Sequence, residues 1–131
     1  MHIKPYIFVD NCKEAMDYYK EIFRGEVKNV TLADGKAGFV GHEGKILHAQ
    51  LQVGNNLIHF SDSFNDEMVQ GNQMKILLEI EEEAEIKRIY EALKENSDIH
   101  IELQEMFWGA THASLTDYNG ISWVLNYEHN K

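Results

Sequence analysis

The chain holds a single cysteine, Cys12, and a single proline, Pro5, in 131 residues. One thiol rules out an internal disulfide, so the fold has to be held together by its core. Basic residues are scarce: 12 Lys plus Arg stand against 22 Asp plus Glu, a net charge of −10 with histidine neutral. A surface this acidic repels phosphate backbones and no basic stripe interrupts it, so no nucleic-acid partner is expected. No apolar run approaches the roughly 18 residues of a membrane span, so no membrane partner is expected either. The opening Met1-His2-Ile3-Lys4-Pro5 lacks the apolar stretch of a secretory signal, which reads as a cytoplasmic protein. The glycine loop that cradles phosphates is missing, so no nucleotide cofactor is implied, and no HxxxH or HxH spacing marks a metal site.

What the chain does have is a repeat. Lys4 to Phe23 reads as a strand followed by an amphipathic helix, and Lys75 to Lys94 repeats that layout 71 residues later. Val9 falls on Ile80, Ala15 on Ile86, Tyr18 on Ile89, Tyr19 on Tyr90 and Ile22 on Leu93. In the first helix Asn11 is the expected N-cap, Glu14 completes a capping box, and Gly25 is the expected end. In the second, Ile86, Ile89, Tyr90 and Leu93 form the buried stripe and Asn96 the stop. The acids Glu79, Glu81, Glu82, Glu83 and Glu85 read better as a complement to the helix dipole than as a cation site.

Strand alternation then predicts which side chains face away from the helices. In Ile46 to Val53, Leu47, Ala49, Leu51 and Val53 point to the core while His48, Gln50 and Gln52 point away. Pairing Val53 with Asn56 leaves Gly54-Asn55 as a two-residue turn, setting Gln50 opposite His59 and His48 opposite Ser61. By the same reasoning Ile7 and Val9 face the helix, opposite Lys4, Tyr6 and Phe8. Ile76, Leu78 and Ile80 point inward, leaving Lys75, Leu77 and Glu79 on the other side. In the last hairpin, turning at Asp117 to Gly120, Leu115, Trp123 and Leu125 are core. His112, Ser114, Ser122, Val124 and Asn126 lie opposite. Residues 33–45, rich in glycine and charge, read as a loop or weak strand.

The duplicated strand-helix-three-strand unit resembles the vicinal oxygen chelate superfamily of glyoxalase I, bleomycin and fosfomycin resistance proteins and extradiol dioxygenases. Within it the chain is similar to the PhnB-like branch, whose members often carry an inaccurate methyltransferase-related label. The matching residues are Pro5-Tyr6-Ile7, Glu14-Ala15 and Tyr18-Tyr19, then Lys45-Ile46-Leu47-His48-Ala49 to Ser61-Asp62. The most specific block is Phe107-Trp108-Gly109-Ala110 through Asp117 to Gly120 and Trp123. The resemblance implies an α+β fold of paired βαβββ modules, about 1–66 and 72–131, forming one glyoxalase-like domain. It further implies cupped mixed sheets, helices on the outer face, a ligand cavity and commonly a homodimer. Carried over one by one, the superfamily's four metal positions fall on Lys4, His59, Lys75 and Val124. Only His59 is an ordinary ligand, since ammonium groups repel a divalent ion and valine has no donor.

Three functions remain open. The first is binding or sequestration of a small polar or aromatic ligand without metal. The expected pocket takes Lys4, Tyr6, Phe8, His48, Gln50, His59 and Ser61 from the first module. Lys75, Trp108, His112, Ser114 and Val124 come from the second. The second function is a divalent-metal-dependent lyase, isomerase or thiol transferase built on His48 and His59, with His112 and a carboxylate from Glu79 or Glu105. The third is an interaction module with a vestigial pocket. Any acid–base work falls to His48, His59 or His112, since an imidazole ordinarily titrates near pH 6.5. Cys12, on the buried stripe of the first helix, reads as packing, and His48 and His59 are otherwise wall residues bonded to Gln50 and Ser61. Trp108 reads either as a flap over a planar ligand or as a packed loop tryptophan. A ferredoxin-like dimer is the competing fold and requires four strands per chain, against the eight segments of strand character here.

Overall fold

The computed structural model describes residues 1–64 and 67–129. The chain divides into two compact units, Met1–Val69 and Gln70–Lys131. The expected module edges at 66 and 131 lie outside the described residues. The first unit runs β1 (Tyr6–Val9), α1 (Cys12–Phe23), β2 (Glu26–Leu32), β3 (Ile46–Val53) and β4 (Asn56–Asp62). The second runs β5 (Ile76–Glu79), α2 (Glu83–Lys94), β6 (Asp98–Met106), β7 (Ala110–Thr116) and β8 (Ser122–Glu128). Each is therefore a βαβββ unit with its own mixed four-stranded sheet, ordered β1-β4-β3-β2 and β5-β8-β7-β6. Eight strands are incompatible with the ferredoxin-like alternative.

The helices form for the expected reasons. Asn11 accepts from the Glu14 N–H at 3.4 Å, while its own amide donates to Glu14 Oε2 at 3.0 Å. Cys12, Ala15, Met16, Tyr19, Ile22 and Phe23 are buried on one stripe of α1, as are Ile86, Ile89, Tyr90 and Leu93 on α2. The end of α1 differs from expectation. Arg24, not Gly25, takes the left-handed conformation, at φ 52°. Gly25 is needed for space instead: a Cβ there would meet the Gln52 carbonyl oxygen at 2.8 Å. Asn96, at φ 58°, is the left-handed stop after α2.

The strand register follows the alternation closely. Val53 pairs with Asn56 and Gln50 with His59, and Gly54 takes the positive φ of 58° that a tight hairpin turn favours. Ala49, Leu51 and Phe60 in the first sheet, and Leu115, Trp123 and Leu125 in the second, are fully buried. One departure is at Ile46, which is 4% exposed although it shares sequence parity with His48. The step from Thr31–His48 to Leu32–Ile46 advances one residue on β2 and two on β3, a bulge that turns Ile46 to the helix side.

Residues 33–45 are the expected loop rather than a weak strand, and the loop is regular. The N–H groups of Lys36, Phe39, His42 and Lys45 each bond the carbonyl three residues back, giving four consecutive turns. Each turn carries a glycine with φ between 71° and 92° at its third position, and the Ala33 N–H closes the segment on the Lys45 carbonyl at 2.9 Å.

Buried carboxylates complete each unit. Asp62, 5% exposed, accepts from the Cys12 N–H at 2.8 Å and from the Ile46 N–H at 2.6 Å, tying the end of β4 to the starts of α1 and β3. Asp117 accepts from the N–H groups of Asn119 and Ile121 and from Trp123 Nε1 at 2.8 Å, which fixes the β7–β8 turn to the core. Asp62→Ala leaves two buried donors without their acceptor and is expected to cost about 2–5 kcal/mol in denaturant titration. Asp62→Asn, which retains one acceptor oxygen, should cost less; equal losses for both would contradict this role.

Candidate functional site

Each sheet has its helix on one side, so its polar side chains gather on the other. In the first unit, Tyr6 and Phe8 of β1 are 48% and 47% exposed there and stack on each other at 4.6 Å. The Tyr6 ring meets His48 edge-on at 5.7 Å and His59 at 5.8 Å. His48 Nε2 and His59 Nδ1 are 2.6 Å apart, a hydrogen bond between two imidazoles. The alternative partners expected for these histidines are engaged elsewhere. Gln50 Oε1 accepts from Asn29 Nδ2 at 2.6 Å, and the buried Ser61 hydroxyl donates to the Asp62 carbonyl at 2.8 Å. The histidines meet because they sit diagonally on adjacent strands, where both rings bridge the gap more easily than the shorter Ser61.

A hydrogen bond between two imidazoles needs a bare nitrogen on one ring and an N–H on the other, so the pair resists full protonation. Half-burial of the His59 ring, then the neighbouring His48 and the Lys4 ammonium, push its pKa below the ordinary value. Lys4 thus acts on this face by charge although it precedes β1 in sequence and is itself exposed.

The second unit presents a different set. Lys75, one residue ahead of β5, donates to Ser114 Oγ at 3.4 Å. His112 Nδ1 lies 3.0 Å from Asn126 Oδ1, and Asn126 Nδ2 donates to Glu79 Oε2 at 3.3 Å. Trp108, half exposed, sets its ring edge-on to His112 at 5.4 Å. Val124 sits between Ser114 and Leu77 in the strand register. Of the two carboxylates considered beside His112, Glu79 is joined to it through Asn126. Glu105 pairs with Thr111, and alternation puts it on the opposite face from His112.

Two sites of interest had been overlooked in the alternation. Asn126 is not merely a polar-face residue but the link between His112 and Glu79. His48 and His112 also occupy equivalent positions. The repeat carries Phe8 to Glu79, and the registers place Ser61 beside Phe8 and Asn126 beside Glu79. One further step across each hairpin, continuing the Ala49–Phe60 register in the first sheet, reaches His48 and His112. Combining the hairpin registers with the 71-residue offset would have revealed this. The grooves of the separate units lie elsewhere. One, of about 600 Å³, is lined by Met16, Val27, Val30, Leu32 and Ile46; the other, by Tyr90, Lys94, Ile99 and Leu103, is about 690 Å³. Neither of these two grooves is lined by His48, His59, Lys75 or His112.

A family described as 3-demethylubiquinone-9 3-methyltransferase matches residues 2–126. The chain belongs to that family. Protein PA1353 from Pseudomonas aeruginosa is similar in structure, with a TM-score of 0.85, 29% identity and 98% of each chain covered. The PhnB protein from Bacillus cereus has a TM-score of 0.84 at 23% identity, over 97% of this chain and 99% of that one. The fosfomycin resistance protein FosX from Listeria monocytogenes shares the fold at 11% identity, with a TM-score of 0.69 over 99% of this chain and 94% of that one. The chain thus shares the fold of the PhnB and fosfomycin resistance proteins. Among its described residues no helix is long and apolar enough to cross a membrane.

The positions that the resemblance assigns to the superfamily's metal ligands hold Lys4, His59, Lys75 and Val124. No group of three or more His, Cys, Asp or Glu is gathered to hold a metal among the described residues. Nucleophilic chemistry at Cys12 is opposed by its surroundings: burial first, and then the Asp62 carboxylate, push the thiol up to about 12. Cys12 should therefore resist a thiol reagent in the native protein and react only after unfolding; rapid native labelling would contradict its core assignment.

The His59 shift has a pH consequence. The unfolded chain protonates this imidazole near pH 6.5, whereas the folded chain does so only at lower pH. The unfolded state therefore binds more protons between those values. The associated stability is full above about pH 6.5 and is lost as pH falls through the lowered folded value. Denaturant titrations from pH 8 to pH 5 should show a smaller acid loss for His59→Gln than for the wild type. An identical loss would show that His59 does not carry the effect.

Proposed function

We propose that this PhnB-like protein binds or sequesters a small polar or aromatic ligand and does so without the superfamily's metal tetrad. The observation that carries the reading is the replacement of that tetrad on a retained frame. Two ammonium groups and a valine occupy three of the four positions, while the same sheet faces present aromatic rings and oriented histidines. Ammonium groups repel a divalent cation but attract anionic or oxygen-rich ligands. Half-exposed Tyr6 and Phe8 offer ring faces for stacking, and the histidines supply directional polar contacts. The methyl transfer named in the family's description draws no particular support from these faces, which offer no glycine-rich cradle for a nucleoside-bearing donor.

One contact favours a second reading, a divalent-metal-dependent lyase, isomerase or thiol transferase. The 2.6 Å approach of His48 and His59 places two imidazole nitrogens within reach of one ion. It lacks a third ligand gathered beside them among the described residues.

Two measurements separate these readings. Elemental analysis of protein purified without a tag should find far less than one divalent metal per chain; stoichiometric metal that disappears in His59→Ala would overturn the proposal in favour of the metalloenzyme. A small-molecule thermal-shift screen should yield a compound that raises the Tm of the wild type but not that of one of the sheet-face variants, His48→Ala or His112→Phe. A screen of broad chemistry with no such compound would instead favour an interaction module with a vestigial pocket.

A further inference from the structure

The second sheet aligns Gln104, His112, Asn126 and Glu79 in one row across β6, β7, β8 and β5. This row settles a proton position. An ionised carboxylate can only accept, so the Asn126 amide must turn its Nδ2 toward Glu79 and its Oδ1 toward His112. An oxygen acceptor at His112 Nδ1 then holds the hydrogen of the neutral ring on that nitrogen. The lone pair is left on Nε2. Asn126, 7% exposed, has little room to adopt another arrangement. Nε2 has no hydrogen-bond partner among the described residues of its unit, so it remains an acceptor for something else.

Lys75 supplies a complementary group. Its ammonium contacts Ser114, which lies two residues from His112 on the same face of β7. Strand geometry separates these positions by about 7 Å. A hydrogen-bond acceptor and a cation at this spacing select for a molecule with an O–H donor at one end and an anion at the other. Trp108, half exposed beside His112, adds an aromatic surface.

We propose that this face binds a small aromatic anion bearing a phenolic hydroxyl, with the anion held by Lys75 and the hydroxyl donating to His112 Nε2. The inference rests on the ligand-binding reading above and assigns its chemistry to residues of the second unit. Asn126 and Glu79 act as positioning residues. They fix which nitrogen accepts, and they do not touch the ligand.

Long-range ¹H–¹⁵N NMR of the full chain tests the proton position without any ligand. Neutral His112 should carry its hydrogen on Nδ1, and Asn126→Ala should abolish that preference while the dispersed spectrum of the folded protein persists. Glu79→Gln provides a milder variant, since its amide can let Asn126 turn over. A hydrogen on Nε2 in the wild type would overturn the inference. The ligand class is tested with 3-hydroxybenzoate, benzoate and phenol in NMR titrations. The first should bind about threefold to tenfold more tightly than benzoate, the scale of one neutral hydrogen bond, and about tenfold or more over phenol, the scale of one charge-assisted contact.

His112→Phe should remove the advantage over benzoate, and Lys75→Met the advantage over phenol. Equal affinities, or no binding of 3-hydroxybenzoate, would overturn the inference even if the thermal-shift screen finds another ligand. Failure of that screen to find any ligand would instead remove the broader binding reading, leaving the tautomer result to stand or fall alone.

Discussion

A four-stranded sheet with one helix can bury only one of its faces within its own unit, and this constraint governs the arrangement of the molecule's chemistry. The helix side takes Ala49, Leu51 and Phe60 in one unit and Leu115, Trp123 and Leu125 in the other. Strand alternation then forces every second residue to the remaining face, where polar groups must find partners or meet solvent. The paired histidines and the Asn126 bridge are two solutions to that requirement. The start of α1, the start of β3 and the β7–β8 turn are secured separately, by the buried oxygens of Asp62 and Asp117. Because those anchors lie at strand ends, the middle of the polar face is left open for variation.

The duplicated frame makes that variation readable. His48 and His112 are equivalent positions, but their partners differ because the neighbouring positions have diverged. His59 corresponds to Val124, so the first unit can join two imidazoles and the second cannot. Ser61 corresponds to Asn126, and only the longer amide reaches both the histidine and a carboxylate. Phe8 corresponds to Glu79, which supplies that carboxylate. A single scaffold therefore yields a coupled, proton-resisting pair in one unit and a ring with a fixed donor and acceptor in the other.

Much of this was visible in the sequence because facing has a period of two and hairpin register is set by the turn. Gly54-Asn55 locates the first hairpin, and the turn alone sets Gln50 opposite His59, the register of the folded sheet. Side-chain partner choice was less legible. His48 and His59 met each other because Ser61 turned its hydroxyl to its own neighbouring carbonyl and Asn29 captured Gln50. The parity rule fails at Ile46, where a bulge inserts a residue, and the expected glycine helix end is different at Gly25, where a nearby carbonyl rather than backbone φ requires the missing side chain. Residues 33–45 carried a usable signal in glycines at every third position, but neither a helical nor a strand period would register it.

The replaced tetrad and the oriented His112 belong to one argument about charge. A divalent-metal site needs several donors of electron pairs around one cation; here the equivalent positions of the two repeats, Lys4 and Lys75, are themselves cations. Their effects differ with their neighbours. Lys4 acts on a histidine pair and disfavours its further protonation, whereas Lys75 leans on a serine hydroxyl beside a histidine whose proton is already committed. On a chain of net charge −10, Lys4 and Lys75 place local positive charge on these faces, accompanied in the second by the Glu79 carboxylate. On the proposed binding reading, these ammonium groups make an anion the favoured ligand where a metal-binding relative would hold a cation.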